Sequence, residues 1–383
     1  MVTPEIKSID IADLDELTKL FKSGAKQSVA IICHDQPDPD CLASAMAVQY
    51  LADYYALESR IYYGGEIPYT QNSVMMNVLN IAATKLEVDD SEENDENAQA
   101  IKTQIEDSYL VMVDTSCPIG KENNTGITEF VAKLRQSDLV IDHHSQNHDL
   151  ECPYIHKVYG SCSTIMFEIL SLLKINISKG LATALYLGIS TDTADLKSEG
   201  TSDNDIVALT SLKSLMDVEL LRKIYDYPKP LALLELRKRA YGDFFIFGNN
   251  LTISNVGIIN PQQRALLAKL SEEMLQVESI DSSLILGLVD EGFDKPKYIT
   301  ASFRTNVLAI NVSQFVQKIF GKKFSGGRKG AGAAKIPLDE KTCAVIDFIR
   351  RKENGGCHDE INKLIKPFFD FYIEKTKEEK NNI

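Results

Sequence analysis

The chain has 383 residues, 44% hydrophobic and 25% charged, with a formal net charge of −14. This is an ordinary globular composition, long enough for two domains of usual size, and its acidic balance excludes a general affinity for long duplex nucleic acid. No apolar run approaches the about 18 residues that cross a bilayer, mixed charges over Met1 to Leu14 give no secretory signal, and seven scattered cysteines without a Cys-x-x-Cys pair suggest reduced thiols in a cytoplasmic protein.

In chain order, short apolar runs alternate with helical patterns. Val29 to Cys33 reads as a buried strand, followed by an Ala- and Leu-rich helix over 42–54. Arg60 to Tyr63, Tyr109 to Val113 and Leu139 to Ile141 read as further strands. Helices are expected over 73–81, 128–135, 163–173 and 181–190, with Ser163 as an N-cap for the fourth of these five. This order predicts an α/β fold: a mainly parallel, five-stranded-type sheet with helices on both faces, over residues 1–225. An acidic insertion is expected over 86–107. Within it Glu87 to Glu96 puts seven acids in ten residues, the pattern of a solvated loop.

Pro228 and Pro230 interrupt the next helical pattern, and 226–243 is read as the connection between domains. From Phe244 the texture changes to short strands at 244–247, 251–253, 283–289 and 298–303, with helices at 261–269 and 312–320. This predicts a second, smaller α/β domain over 244–340, followed by a helical extension over 341–383. Lys295 to Leu338 contains no Asp or Glu and nine basic residues, which fits a confined phosphate-binding surface in an acidic chain.

The chemistry gathers where strands end. Strand 29–33 runs into His34, Asp38 and Asp40; strand 109–113 into Asp114; strand 139–141 into Asp142, His143 and His144. In an open parallel sheet the carboxyl ends of the strands share one edge, where ligands bind. One Asp after a strand is commonly a cap or turn residue; this combination is not. Asp38 and Asp40 are one residue apart and suit two neighbouring ions better than one. Asp114 is placed to bridge, and Asp192 follows an apolar helix. Two histidines and four aspartates form a hard-to-borderline donor set suited to Mn²⁺. Two such ions about 3.5–4 Å apart can clamp a phosphoryl group and activate a shared water.

These motifs resemble the DHH phosphoesterase superfamily. His34-x-x-x-Asp38-x-Asp40 is similar to its first motif, Asp114 to its second, Asp142-His143-His144 to its third and Thr191-Asp192-Thr193 to its fourth. The resemblance implies that His34, Asp38 and Asp114 hold one Mn²⁺. Asp40, Asp114, His143 and Asp192 would hold the other, with Mg²⁺ or Co²⁺ as alternative ions. Asp142 would orient a neighbouring histidine, and His144 would contact the scissile phosphate.

The second half resembles the DHH-associated substrate-binding domain. The carrying residues are Ser302-Phe303-Arg304 and the glycine-rich run Ser325 to Ala333. By that resemblance Arg304, Gly326, Gly327, Arg328 and Lys329 bind a substrate phosphate, and the active site lies in the cleft between domains. Many relatives have His after the glycines; here Arg328 stands instead, and it cannot act as a neutral base near pH 7. Taken together, the resemblance points to the nanoRNase and pAp-phosphatase branch. It implies hydrolysis of short oligoribonucleotides, linear dinucleotides or the 3′-phosphate of pAp. Partners would be short RNA or DNA oligonucleotides or nucleotides, with no membrane, and a homodimer is compatible with the sequence. Alternative readings are a cyclic-dinucleotide phosphodiesterase, a pyrophosphatase or exopolyphosphatase, a single-strand exonuclease, and a non-catalytic nucleotide-binding module.

Overall fold

Strand β1 (Ser28–Asp35) shows why the first sheet forms. Val29, Ile31 and Cys33 pack on one side and Ala30 and Ile32 on the other, and all five are buried. A strand covered on both faces must be apolar at every position, and that is characteristic of parallel sheets. The computed structural model describes residues 9–65, 67, 70–86, 96–115, 126–144, 152–242, 244–247, 250–290, 298–328 and 330–337. They divide into two units, with the boundary between Tyr227 and Pro228.

The first unit begins with α1 (Ile11–Lys22), β1, α2 (Pro39–Tyr54), β2 (Glu58–Gly64), α3 (Thr70–Leu79) and β3 (Ala83–Lys85). It continues with α4 (Glu96–Asp107), β4 (Tyr109–Val113), α5 (Gly126–Leu134), β5 (Leu139–Asp142) and β6 (Tyr154–His156). Four helices close it: α6 (Cys162–Leu172), α7 (Lys179–Asp192), α8 (Asp203–Leu215) and α9 (Val218–Tyr225). The sheet is parallel throughout, in the order β3-β2-β1-β4-β5-β6. It has six strands where five were expected; β3 and β6 are three residues each, too short to show a period. One face packs against α2, α3, α6 and α7, the other against α4 and α5. Part of the expected acidic insertion is thus structural: α4 buries Ile105 against the sheet. The acid-rich stretch 87–95 lies outside the described residues.

The second unit comprises α10 (Leu231–Gly242), β7 (Phe244–Phe247), β8 (Leu251–Ile259), a 3₁₀ turn (Pro261–Gln263) and α11 (Arg264–Met274). Then come β9 (Ser282–Val289), β10 (Tyr298–Thr305), α12 (Val312–Phe320), β11 (Ser325–Arg328) and β12 (Ala331–Pro337). Its sheet is mixed, in the order β11-β12-β10-β9-β8-β7, and only β8 and β9 pair in parallel. α12 covers one face; α10 and α11 cover the other. Residues 226–243, read as a connection, hold α10. Its Leu233, Leu236 and Ala240 are buried beside Val256 and Leu267, so this helix belongs to the core of the second unit. The proline Pro230 precedes that helix, where a missing N–H costs nothing.

The glycine-rich run forms the hairpin β11–β12. A side chain at Gly327 would lie 2.7 Å from the Ala331 carbonyl, and one at Gly332 would lie 2.7 Å from both Val312 and Val316. These two glycines let α12 close on the hairpin, whereas Gly326 faces open space. Cys33, Cys41, Cys152 and Cys162 are free thiols. Among the described residues no helix is long and apolar enough to cross a membrane. The extension over 341–383 lies outside the described residues.

Candidate metal centre

Three adjacent strands, β1, β4 and β5, end together, and their last side chains meet. Asp114 is the meeting point. It follows β4 in the left-handed backbone region (φ 57°), and its N–H donates to the Ile141 carbonyl. That bend turns its carboxylate back over the sheet edge. His34 Nε2 lies 3.6 Å from Asp114 Oδ2, and His143 Nε2 lies 3.3 Å from Asp114 Oδ1. His143 Nε2 is also 3.3 Å from Asp192 Oδ2, at the end of α7, and 4.0 Å from Asp40 Oδ2. After Asp192, Ala194, Asp195 and Leu196 are all left-handed, and Ser190 Oγ donates to Asp195 Oδ1 at 2.5 Å, tying the loop back to α7.

Both imidazoles are held in one tautomer. His34 Nδ1 lies 2.7 Å from the Asp35 carbonyl and His143 Nδ1 lies 3.0 Å from the Tyr159 carbonyl. A carbonyl only accepts, so each Nδ1 carries a proton and donates. The neutral ring then turns a lone pair on Nε2 toward the carboxylates, the arrangement of a metal-ligating histidine. Consistent with this, Asp114 Oδ1 and His143 Nε2 are buried without a hydrogen-bond partner. A lone pair facing a carboxylate requires a cation or a proton between them.

Asp38 and Asp40 are separated by their surroundings. Asp38 caps α2, its Oδ1 accepting from the amides of Asp40 and Cys41 at 3.1 and 3.0 Å. Asp40 is fully buried against the start of α6, where its two oxygens accept from the amides of Cys162 and Ser163 at 2.7 and 2.8 Å. A helix N-terminus favours such an anion. Each oxygen keeps a second lone pair for a ligand. Gly188 makes room for this: a side chain there would lie 2.3 Å from Ser163 Oγ and 3.0 Å from Asp40 Oδ1.

Asp142 is buried and faces His144. Its Oδ1 accepts from the His144 amide at 3.1 Å and from His144 Nδ1 at 2.8 Å. This hydrogen bond raises the His144 pKa. The His144 side chain is 59% exposed, so Nε2 is available to a bound molecule.

The electrostatics show a centre that needs positive charge. Burial, then the Asp114 and Asp192 carboxylates, push Asp38 up to about 6 and Asp40 well above the carboxylate range. Burial pushes Asp114 up as well, but the His143 and His34 imidazoles outweigh it and hold Asp114 at about 2. Burial lowers His143, yet the carboxylates of Asp114, Asp192 and Asp40 drive it to about 12; burial lowers His34 too, but Cys41, then Asp114 and Asp38, raise it. Protons here do what divalent cations would do.

The donor atoms of Asp40, His143 and Asp192 lie within 4.8 Å of one another, as do those of Asp114, His143 and His144, and those of His34, Cys41 and Asp114. These residues therefore suit divalent cations. Cys41 was missed by sequence reasoning. The signal available was its position, three residues after the Asp38 cap on the first turn of α2. Tyr159 was missed too, because it acts through its carbonyl. Of the substrate-binding candidates, Arg304 on β10 donates to Glu272 Oε1 at 3.0 Å and to the Phe303 carbonyl at 3.0 Å. Ala331 pairs with Arg304 on one side and Arg328 on the other, so the three stand abreast in the sheet. Lys329 lies outside the described residues.

Residues 28–189 match the sequence profile of the DHH family, N-terminal domain. Over 338 residues the chain is 31% identical to an uncharacterized protein of Methanocaldococcus jannaschii. That alignment covers 87% of this chain and 63% of the other, so the chain spans under two thirds of that relative. Over 328 residues it is 22% identical to the bifunctional oligoribonuclease and PAP phosphatase NrnA of Mycoplasma genitalium, covering 85% of this chain and 93% of that one. The fold is similar to that of an exopolyphosphatase-related protein from Bacteroides fragilis, with a TM-score of 0.68 at 16% identity, covering 96% and 98% of the two chains. The matched stretch, residues 28–189, carries every aspartate and histidine of this centre except Asp192, so the part of the chain that is similar to the DHH family is the part that builds the site.

Proposed function

We propose that this chain is a cytoplasmic, Mn²⁺-dependent phosphoesterase that hydrolyses short oligoribonucleotides, linear dinucleotides or the 3′-phosphate of pAp. One observation carries the reading. The buried Asp114 carboxylate stands between two imidazoles, each anchored through Nδ1 and turned toward it through Nε2. This arrangement supports a bridging role for Asp114, with a ligand on either side.

His34, Asp38 and Asp114 would hold one ion; Asp40, Asp114, His143 and Asp192 would hold the other. Such a pair lowers the pKa of a shared water and neutralises charge on the attacking and leaving oxygens. His144, exposed and oriented by Asp142, donates from Nε2 to a phosphoryl or leaving oxygen. Asp142 keeps that ring in one tautomer. In the second unit Arg304 is fixed by Glu272 and the Phe303 carbonyl, and with Gly326, Gly327, Arg328 and Lys329 it binds a phosphate remote from the reaction. Similarity to the oligoribonuclease and PAP phosphatase of M. genitalium supports the substrate class. The net charge of −14 supports short substrates over long ones.

The test is a hydrolysis panel with Mn²⁺: pAp, pApA, an RNA pentamer, a long RNA, cyclic di-AMP and pyrophosphate. Preferential turnover of the first three is expected. Preference for any of the others refutes the substrate class, and binding without turnover of any refutes the enzyme reading.

A further inference from the structure

The donors around His34 include a sulfur as well as oxygen and nitrogen. Cys41 Sγ, a His34 ring nitrogen and an Asp114 carboxylate oxygen lie within 4.8 Å of one another. Asp38, whose Oδ1 accepts from the amides of Asp40 and Cys41, stands beside this cluster without belonging to it. Metal–sulfur bonds are about 2.3 Å and metal–nitrogen or metal–oxygen bonds about 2.0–2.2 Å, so ligands of one ion stand within roughly 4.5 Å of each other. Cys41 is fully buried, at the third position of α2. Its Sγ lies 3.7 Å from the Val113 carbonyl, at the end of β4 beside Asp114, and the thiol also interacts with the Cys33 and His34 side chains. The carboxylate of this cluster also lacks a full set of partners: Asp114 is 2% exposed, its Oδ2 lies 3.6 Å from His34 Nε2, and its Oδ1 has no hydrogen-bond partner.

We propose that Cys41 is a sulfur ligand of the ion held by His34 and Asp114, and that it tilts this site toward Co²⁺ and Zn²⁺ relative to Mn²⁺. The inference rests on the two-metal reading above and refines it. Thiolate is a soft donor that favours zinc-like ions, whereas carboxylates suit Mn²⁺. On coordination the Cys41 S–H bond breaks, the Sγ–metal bond forms, and the proton leaves to solvent; no oxidant or reductant is involved. Cys33 touches the Cys41 side chain, whereas Cys152 is half-buried and belongs to none of the donor clusters, so Cys152 serves as a control thiol.

The experiment loads the full metal-stripped chain with Co²⁺ and records its absorption spectrum, alongside Cys41→Ala, Cys41→Ser and Cys152→Ala. The wild type and Cys152→Ala should show a near-ultraviolet sulfur-to-cobalt charge-transfer band. Both Cys41 variants should lack it while keeping the visible bands of bound cobalt. Competition should show the preference for Zn²⁺ over Mn²⁺ falling about tenfold or more in those variants. Cys41→Ser, near in size, answers the question if the Ala variant does not fold. A wild type that binds cobalt without the band, or a band that survives in a Cys41 variant, overturns the proposal and leaves the two-metal reading standing. A wild type that binds no cobalt overturns both.

Discussion

Asp205 lies outside every motif, yet it holds the residue next to the one that anchors His143. It is fully buried and accepts from Gly160 N and Ser202 N at 2.7 Å each, from Ser202 Oγ at 2.6 Å and from Thr164 Oγ1 at 2.5 Å. Gly160 follows Tyr159, whose carbonyl fixes His143. In Asp205→Asn the amide oxygen can keep the three bonds made by Oδ2, but as neutral ones. A hydrogen bond to a charged group contributes about 1.5–3 kcal/mol and a neutral one about 1, so the variant should lose about 2–3 kcal/mol. Asp205→Ala leaves the Gly160 and Ser202 amides without their acceptor, which costs about 1–3 kcal/mol each in addition. The chain has no Trp, so urea unfolding is followed by circular dichroism. With a slope of about 1–3 kcal/mol per molar, the Asn variant should unfold about 1 M earlier, at unchanged slope. Its metal affinity should also fall about tenfold as the Tyr159 carbonyl loosens. An unchanged midpoint, or an Ala variant no worse than Asn, would falsify this account, because the two amides would then have found other partners.

Four further outcomes are expected. Asp114→Asn should abolish turnover and reduce metal uptake at both sites, measured by equilibrium dialysis; full stoichiometry would rule out bridging. Without metal, His143 (about 12) and Asp38 (about 6) lie above their unfolded values near 6.5 and 3.9, so the native state binds more protons than the unfolded one. Both contributions are then lost as pH rises, Asp38's between about 4 and 6 and His143's from about 6.5 upward, so the chain stripped with chelator should melt lower at pH 8 than at pH 6. Loading with metal should remove this slope; a stripped chain that is more stable at pH 8 contradicts the electrostatics. Arg304→Met should raise KM with kcat little changed, and a fall in kcat alone would refute remote phosphate binding. Gly332→Ala forces a methyl to within 2.7 Å of Val312 and Val316 and should cost about 1–3 kcal/mol by thermal melting; an unchanged Tm would mean that α12 moves away freely.

The sheet of the first unit was legible because β1, β4 and β5 are apolar at successive positions and buried on both faces, and β2 carries the apolar run Ile61 to Tyr63. The short β3 and β6 left no such trace. The convergence of Asp114 with His34 and His143 was legible for a related reason: each follows its own strand, and parallel strands end at one edge. The left-handed turn at Asp114 that aims its carboxylate was not legible, since nothing in an Asp after Val113 distinguishes φ of 57° from an extended backbone. Nor was the Asp205–Gly160 contact, which joins residues 45 apart in sequence through a backbone N–H that any residue but proline offers. The glycines Gly188, Gly327 and Gly332 look like loop or helix-weakening residues in sequence. In three dimensions they are where a neighbouring side chain or backbone fills the place of a Cβ.

The partners of the acidic groups explain how so many carboxylates converge in one fold. Asp38 caps α2, Asp40 sits on the amides that open α6, and Asp142 is bound to His144. Each of these three owes its place to N–H donors supplied by the fold itself. Asp114 differs: buried at 2% exposure, its Oδ1 lies 3.3 Å from His143 Nε2 and 3.7 Å from His144 Nδ1, yet neither Oδ1 nor His143 Nε2 makes a hydrogen bond. Folding alone would favour a neutral residue at that position, since leaving such a pair unsatisfied costs several kcal/mol. The orphaned pair is therefore the part of the centre that the fold does not need and that a bridging cation does. It separates Asp114, which has no backbone donor of its own, from the three carboxylates whose places are fixed by N–H groups.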